Sequence, residues 1–375
     1  MKIFALFIFG ISLCLGSYSQ KDNVIAIEVL DIVKQKPEAV FFDEYCSEIE
    51  FIPLDAVVKS AIGIIVGIEV DDQHIYVLDH TKALTIYNLD GSFVKRLQQK
   101  GGGPGEIRHF RLFHLMGEAD RVIIYDDAQR KLMFFDTKGE FILEHRFDFS
   151  IDGLSHLNEQ TILLLTDERY NVSESGGHIL SYVDLNGFEV NTTMEIQASN
   201  QLKHAVSSLS SKMVRIGSEV ILQIPFCDTL FQVSQGSYSP KYVFNLKGTG
   251  LKPAMMKDQI SRRNVAPYTT QCSTPYETSQ FLLFRVDYKS EAKIILQDKR
   301  TKTWKLLEAM EYSKPGLRLR GVDQVAFTPM FCSMDYYYSF IEAIDFKTHF
   351  SEAYPKLAEQ IDIDDNPIIV RAKLK

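Results

Sequence analysis

The stretch Leu97–Phe110, LQQKGGGPGEIRHF, sets four glycines and a proline between two runs with strand character. It is either a phosphate-cradling loop or the corner where one sheet hands over to the next. A nucleotide loop of the Rossmann or P-loop kind must follow a buried strand and open a helix, because the helix N-terminus supplies the anion site. Here the preceding run, Phe93–Leu97, carries Lys95 and Arg96, and no Gly-Lys-Ser/Thr follows the glycines. The run after them, EIRHFRLFHLM, is rich in apolar and aromatic residues and has no helix-cap pattern. The corner reading prevails. Gly101, Gly102, Gly103 and Gly105 would supply positive φ angles and close backbone approach, with Pro104 stiffening the path. No nucleotide is expected to bind there.

The flanks of this corner repeat. IYVLDHTKALTIYNLDGSFVKRL (Ile75–Leu97) and VIIYDDAQRKLMFFDTKGEFILEHRF (Val122–Phe147) share one plan: a β-rich run ending in Asp, a polar turn, a second run ending in an Asp/Gly hairpin, and a third, half-polar run. Asp79 and Asp126 hold the same place, 47 residues apart, near the repeat length of four-stranded propeller blades. Both are expected to accept hydrogen bonds from the turn that follows, as in Asx turns. Weaker copies lie at 161–196, Glu219–Leu246, Phe281–Leu307, and Gly321–Phe346 joined to the C-terminal NPIIVRAKLK. The pattern predicts an all-β chain: a six-bladed β-propeller of four-stranded antiparallel blades, with a few short helices in loops. Helices are expected at Pro253–Arg263 and Phe350–Ile361, the latter with Ala353, Leu357 and Ile361 on one face.

The first residues, MKIFALFIFGISLCLGSYSQ, read as a secretion signal: Lys2, an apolar run from Ile3 to Leu15, and a small-x-small site at Ser17–Ser19. The apolar run is too short to span a bilayer comfortably. The expected division is a signal peptide at 1–19, a lead-in at 20–48 and the propeller at 49–375, in an extracytoplasmic protein of the periplasm or cell envelope. Lipidation at Cys14 is less favoured, because Leu13 stands where a lipobox wants Gly, Ala or Ser. The remaining cysteines, Cys46, Cys227, Cys272 and Cys332, form no C-x-x-C or Cys/His cluster, so buried unpaired thiols are expected over disulfides or a zinc site. Net charge is −8, and short pairs such as Arg262-Arg263 make no basic patch, so no nucleic-acid partner is expected. Asn171 and Asn191 open glycosylation sequons and read as ordinary loop polarity.

Enzyme signatures are missing: no Gly-x-Ser-x-Gly, His-Glu-x-x-His or EF-hand spacing, and none of the nine histidines lies at i, i+4 from another. No catalytic residue, metal ligand or cofactor is assigned. Arg108 and His109, just past the corner, are the candidate ligand-binding residues at a channel mouth, for an anionic or sugar ligand; the alternative is local pairing and packing. A single tryptophan, Trp304, argues against an extended glycan groove. Tyr336 and Tyr338 should share one face of a strand and Tyr337 the other, all of them core.

These residues also carry a resemblance. KGGGPGEI after the IYVLD…IYNLDGSFVKRL unit, then PFCDTLFQV, PKYVFNL and the ending DDNPIIVRAKLK, resemble the Bacteroidetes six-bladed β-propeller proteins, relatives of the NHL-repeat propellers, over Ile49–Lys375. The resemblance implies a propeller behind a secretion signal in the bacterial envelope and supplies no catalytic residues. The expected function is a ligand-binding or protein-interaction scaffold whose partner is a small molecule, a glycan or an envelope protein. The alternatives are a metal-dependent propeller enzyme of the lyase or lactonase type and a carbohydrate-uptake accessory.

Overall fold

The computed structural model describes residues 24–56, 61–98, 101–166, 178–196, 212–224, 227–250, 268–309 and 315–375. The expected signal at 1–19, Cys14, Asn171, Arg262-Arg263 and the expected helix at Pro253–Arg263 lie outside these residues. The chain opens with β1 (Ile25–Ile27), α1 (Val29–Val33), α2 (Phe42–Tyr45) and β2 (Cys46–Pro53). Blade 1 follows as β3 (Ile65–Val70), β4 (His74–Asp79), β5 (Leu84–Asn88) and β6 (Phe93–Leu97). Blade 2 is β7 (Phe110–Met116), β8 (Arg121–Asp126), β9 (Lys131–Asp136) and β10 (Phe141–Arg146). Blade 3 is β11 (Gly153–Asn158), β12 (Thr161–Thr166), β13 (His178–Asp184) and β14 (Glu189–Ile196). Blade 4 is β15 (Lys212–Ile216), β16 (Glu219–Gln223), β17 (Thr229–Ser234) and β18 (Ser237–Phe244).

Blade 5 has an inner strand interrupted into β19 (Thr269–Cys272) and β20 (Tyr276–Glu277), both paired with β21 (Phe281–Tyr288), then β22 (Glu291–Asp298) and β23 (Trp304–Leu306). A two-stranded hairpin, β24 (Leu317–Leu319) and β25 (Val322–Phe327), stands beside the ring. Blade 6 is β26 (Phe331–Cys332), β27 (Tyr336–Ile341) and β28 (Ile368–Leu374), completed by β2 from the other end of the chain. The fold is thus a six-bladed propeller of four-stranded antiparallel blades with a few short helices.

The middle strands read as unbroken apolar runs because both of their faces are buried. In β8, Val122 and Ile124 join the core between blades 1 and 2, while Ile123 and Tyr125 join the core between blades 2 and 3. The same division along β12 and β21 gives a hydrophobic seam between every pair of neighbouring blades. All four described cysteines are free thiols. Tyr337 and Tyr338 are buried in different seams. No described helix is long and apolar enough to cross a membrane.

Two features depart from the sequence reading. The helix expected at Phe350–Ile361 is instead α3 (Ala343–Phe350) followed by α4 (Pro355–Ala358). Pro355 lacks an N–H and fits the first turn of a new helix rather than the interior of an old one. The lead-in is part of the ring's surface: β1 adds to blade 4 as a parallel outer strand, Glu38 bridges to Leu307, Phe41 bridges to Arg318, and β2 then enters blade 6. The N-terminal segment is therefore a strap over the rims of blades 4 to 6, with Ile27, Val40, Phe42 and Tyr45 fully buried beneath it.

Ring closure rests on β2 and β28, paired from Pro53 opposite Ile368 to Cys46 opposite Leu374. Deleting Asn366–Lys375 leaves β2 and β27 as open edges. Thermal melts of this truncation should show a fall of more than about 10 °C, or the protein should not accumulate in soluble form; a melt like that of the intact chain would refute closure as the stabilising step.

At the glycine corner, Gly105 has φ +68° and a Cβ there would lie 2.7 Å from the Phe141 ring. A Cβ on Gly102 would meet only the end of the flexible Gln129 side chain, at 3.2 Å. Chemical denaturation should therefore show Gly105→Ala destabilised by about 1 kcal/mol or more and Gly102→Ala by clearly less. Equal effects would contradict the strain assigned to Gly105.

Candidate functional site

The inner strands of all six blades surround an axial channel with a cavity of about 760 Å³, within the range of small-molecule sites. Its wall differs from the seams because each inner strand has one edge without a neighbouring strand. Polar side chains placed there meet one another across blades. Glu69 on β3 accepts a hydrogen bond from the Leu115 N–H of blade 2 (3.3 Å). His114 Nε2 on β7 lies 2.6 Å from His156 Nδ1 on β11. Arg215 on β15 donates to the carbonyls of His156 and Leu157, each at 3.2 Å. Arg111, at the start of β7, pairs with the buried Asp152 of blade 3. These contacts form a chain of polar groups from blade 1 to blade 4, set among apolar lining residues such as Ile68, Phe113 and Met213. Blades 5 and 6 complete the circle with Thr274, Pro275, Tyr276, Glu277, Met330, Phe331 and Cys332.

Two ionisable groups at mid-depth, Glu69 and His114, are shifted toward their uncharged forms. Glu69 is half-buried and faces the channel rather than bulk solvent; burial pushes its carboxyl up to about 8, the Leu115 N–H opposing only in part. His114 is lowered to about 3, first by burial, then by His156 and Arg215. The close contact of the two imidazoles requires one nitrogen to donate and the other to accept, so at least one ring is neutral. Three of the charged lining groups have partners within the protein. Arg111 has Asp152 and Asp127, Glu277 has Lys299 at 2.7 Å, and Asp71 accepts from the Gln73 and His74 amides and the Tyr76 hydroxyl. Among the described residues no three His, Cys, Asp or Glu side chains gather to hold a metal ion.

Arg108 and His109 lie exposed at the corner. The Arg108 backbone N–H donates to Asp126 (2.5 Å), and His109 Nδ1 contacts Asp127 closely. The channel wall begins two residues past His109, at Arg111. Asp126 also accepts from the Gln129 backbone and side chain. Asp79 accepts from Thr81 N and Oγ1, Ala83 N and Gly63 N, and pairs with Arg96 at 2.9 Å. Burial opposes ionisation of Asp79, yet these donors together hold it below the usual carboxylate range. Each aspartate thus ties a turn to the corner that leads into its own blade. Of the corner glycines, Gly103 N donates to Glu106 (2.9 Å) and Gly105 N to Glu144 (3.1 Å), two separate carboxylates, and Gly101 N to the Ile107 carbonyl.

Sequence reasoning missed Glu69, Arg111, His114, Asp152, His156 and Arg215. A channel collects its residues one blade at a time, so no short motif contains them. The usable signal was a polar residue recurring at blade spacing in the strand before each repeat. Glu69 and His114 occupy equivalent places, opposite Tyr76 on β4 and Ile123 on β8.

Fold and site define a six-bladed propeller with an axial channel of ligand size whose wall mixes polar and apolar side chains. Residues 25–373 match the family described as a domain of unknown function, DUF4934, and the chain belongs to that family. Similar architecture occurs in a Bacteroides fragilis protein described as a candidate exported protein: TM-score 0.71, 18% identity, covering 94% of this chain and 99% of that one. A member of the DUF4221 family from Bacteroides vulgatus is similar at TM-score 0.50 and 9% identity, over 88% of this chain and 97% of its own. No curated protein matches the sequence.

Glu69 gives the site a pH signature in stability. Its folded value of about 8 lies above the reference of 4.5, so between these values the folded state holds a proton that the unfolded state has released. Stability from this group is complete below about 4.5 and is lost as pH rises through about 8. Glu69→Gln removes the loss. Melting curves should show the variant several degrees more stable than wild type at pH 9 and little different at pH 4; parallel pH profiles would refute the protonated carboxyl.

Proposed function

We propose that this protein is an exported propeller of the bacterial envelope that binds a small molecule in its central channel and acts as a binding scaffold rather than a catalyst. The observation that carries the reading is the channel of about 760 Å³ built by all six blades, with hydrogen-bonding groups set among apolar side chains. Such convergence of a few polar groups in an apolar-walled cavity is how small-molecule sites are made. The apolar run at Ile3–Leu15 and the small residues at Ser17–Ser19 support removal of residues 1–19 on export to the periplasm or envelope rather than lipidation at Cys14. The likeness to a Bacteroides fragilis protein described as a candidate exported protein supports the same compartment. Arg108 and His109 belong to the rim of this site in the proposal. The glycines Gly101–Gly105, with Asp79 and Asp126, hold the blades in register.

Val66 lines the channel and is 48% exposed, so Val66→Trp can narrow the lumen without entering a seam. Thermal-shift screening of wild type and Val66→Trp against monosaccharides, amino acids, dipeptides and nucleosides should give stabilisation of the wild type by mass action that the variant loses. Stabilisation equal in both proteins would place the ligand elsewhere and overturn the channel reading.

A further inference from the structure

Charge is divided unevenly between the N-terminal strap and the rims it crosses. From Ile25 to Pro53 the strap carries seven carboxylates and two lysines. Among the described residues five ion pairs join it to the ring, and in all five the acid belongs to the strap. Glu28 and Asp31 meet Lys247 (3.3 and 2.6 Å), Asp43 meets Arg320 (2.6 Å), Glu44 meets Lys305 (3.0 Å) and Glu50 meets Arg371 (2.5 Å). The four cations stand just past blade 4, at the turn between β24 and β25, on β23 of blade 5 and on β28 of blade 6. Exposed pairs of this kind contribute little to stability. Once docked, the strap is held by apolar contact: Val29, Leu30, Ile32 and Val33 share a core with Phe244, Phe284 and Leu306, and Val40, Phe42 and Tyr45 share another with Phe281 and Tyr337. Charge of one sign acts before those contacts form. Its reach is about 10 Å at 0.1 M salt and about 30 Å at 0.01 M, and it speeds the meeting of oppositely charged surfaces.

We infer that the strap is an electrostatically guided latch: it docks on blades 4 to 6 after their other strands have paired, and salt slows that docking. The order follows from the topology. Blades 1 to 5 are sheets of strands consecutive in the chain, so they assemble from local hairpins. The strap has no such neighbour. Its ion-pair partners lie 216 to 321 residues further along the chain, and contacts of such separation carry the largest loop-closure cost. Its strands also need edges that already exist. β1 pairs only with β18, in parallel, from Ile25 opposite Tyr242, and β2 pairs only with β28. Neither has a place to add until blades 4 and 6 present those edges. The late step is then the meeting of an acidic segment with a row of cations, and the field between them sets its rate. The single tryptophan reports on this step. Trp304 lies on β23, against which α1 packs, and joins the core that contains Leu30 and Val33. Its ring stacks on Phe284 with centroids 6.3 Å apart.

The test is refolding of the full mature chain by dilution from urea, followed by far-UV circular dichroism for the sheets and by Trp304 fluorescence for the strap. The dichroism should recover first, and a slower fluorescence phase should follow. That phase should slow at least about threefold between about 20 mM and about 500 mM NaCl, while the dichroism phase changes little. A variant combining Glu28→Gln, Asp31→Asn, Asp43→Asn and Glu44→Gln should show the slow fluorescence rate at both salt concentrations. A control that neutralises the exposed Lys95–Glu140 pair, which lies off the strap, by Lys95→Gln with Glu140→Gln should keep the wild-type salt response. Fluorescence that recovers together with the dichroism, or a slow fluorescence phase in the wild type indifferent to salt, would overturn the inference, and these two outcomes are read on the wild type alone, whether or not the fourfold variant folds. An undiminished salt response in the fourfold variant would overturn it as well.

Discussion

The pairing of β2 with β28 is the constraint on which the rest of the structure depends. Each blade touches only its two neighbours, so a ring of six is stable only when the last seam is made as well as the other five. That seam joins Ile52, Ile369 and Tyr338 of blade 6 to Ile65, Ile75 and Tyr87 of blade 1. It cannot form until the two ends of the chain have met in one sheet. Asn366 fixes the junction: its side chain accepts from Ile62 N (2.9 Å) and donates to the Asp55 carbonyl (2.7 Å), the two ends of the crossing from blade 6 to blade 1. The DNPIIV ending, a mark of family resemblance in the sequence, therefore has a mechanical reason. The strap from β1 to β2 adds to the same closure, since it crosses the rims of blades 4, 5 and 6 before β2 is delivered.

How much of this was legible in the sequence follows from which surfaces carry a strong physical signal. Middle strands are buried on both faces, so VIIY and ILLL declare themselves as continuous apolar runs. The third-strand hairpins also declare themselves. Asp90, Asp136, Asp184 and Asp298 each accept from backbone N–H groups two residues on, a local device that needs no knowledge of the rest of the fold. The second-strand corner is less regular. Where blades 1 and 2 end that strand with Asp79 and Asp126, blades 3 and 4 end it with Thr166 and Gln223. Gln223 ties blades 4 and 5 by donating to the Cys272 carbonyl and accepting from Thr274 N. The same join is made with different chemistry, and the repeat therefore fades in the middle of the chain. The lead-in was illegible for a different reason: β1 and α1 are too short to show a period, and their apolar residues are explained only by the blade rims they cover.

The candidate site was the least legible part, and its polarity is the cause. An inner strand packs on its two neighbours yet borders a channel along one edge, so its sequence mixes Ile68 with Glu69 and Phe113 with His114. Neither alternation nor a continuous apolar run results. Histidines spaced 42 residues apart, as His114 and His156 are, look unrelated until successive blades set them side by side. Burial then changes what these side chains are. A glutamate that would be an anion on the surface becomes a neutral acid here, and a histidine loses its capacity to charge in the physiological range. Residue identity alone would have given Glu69 and His114 their ordinary titration; burial in the ring shifts both toward the uncharged form.

The glycine corner shows the same effect of context on a motif. Its amides do not converge on one point as in a phosphate loop; they donate to separate carboxylates of the protein, Gly103 to Glu106 and Gly105 to Glu144. Lys131, fully buried, donates to the carbonyls of Gly103 and Glu106. A lysine there would be costly alone. Glu144, 2.9 Å away, neutralises it while also accepting from Gly105, and although burial opposes it, these donors hold its carboxyl below the ordinary range. Removing Glu144 would leave the buried Lys131 charge without its partner. The corner is thus a closed ionic unit, and glycine is needed at Gly105 because only a residue without a Cβ lets the backbone reach Glu144 beneath the Phe141 ring.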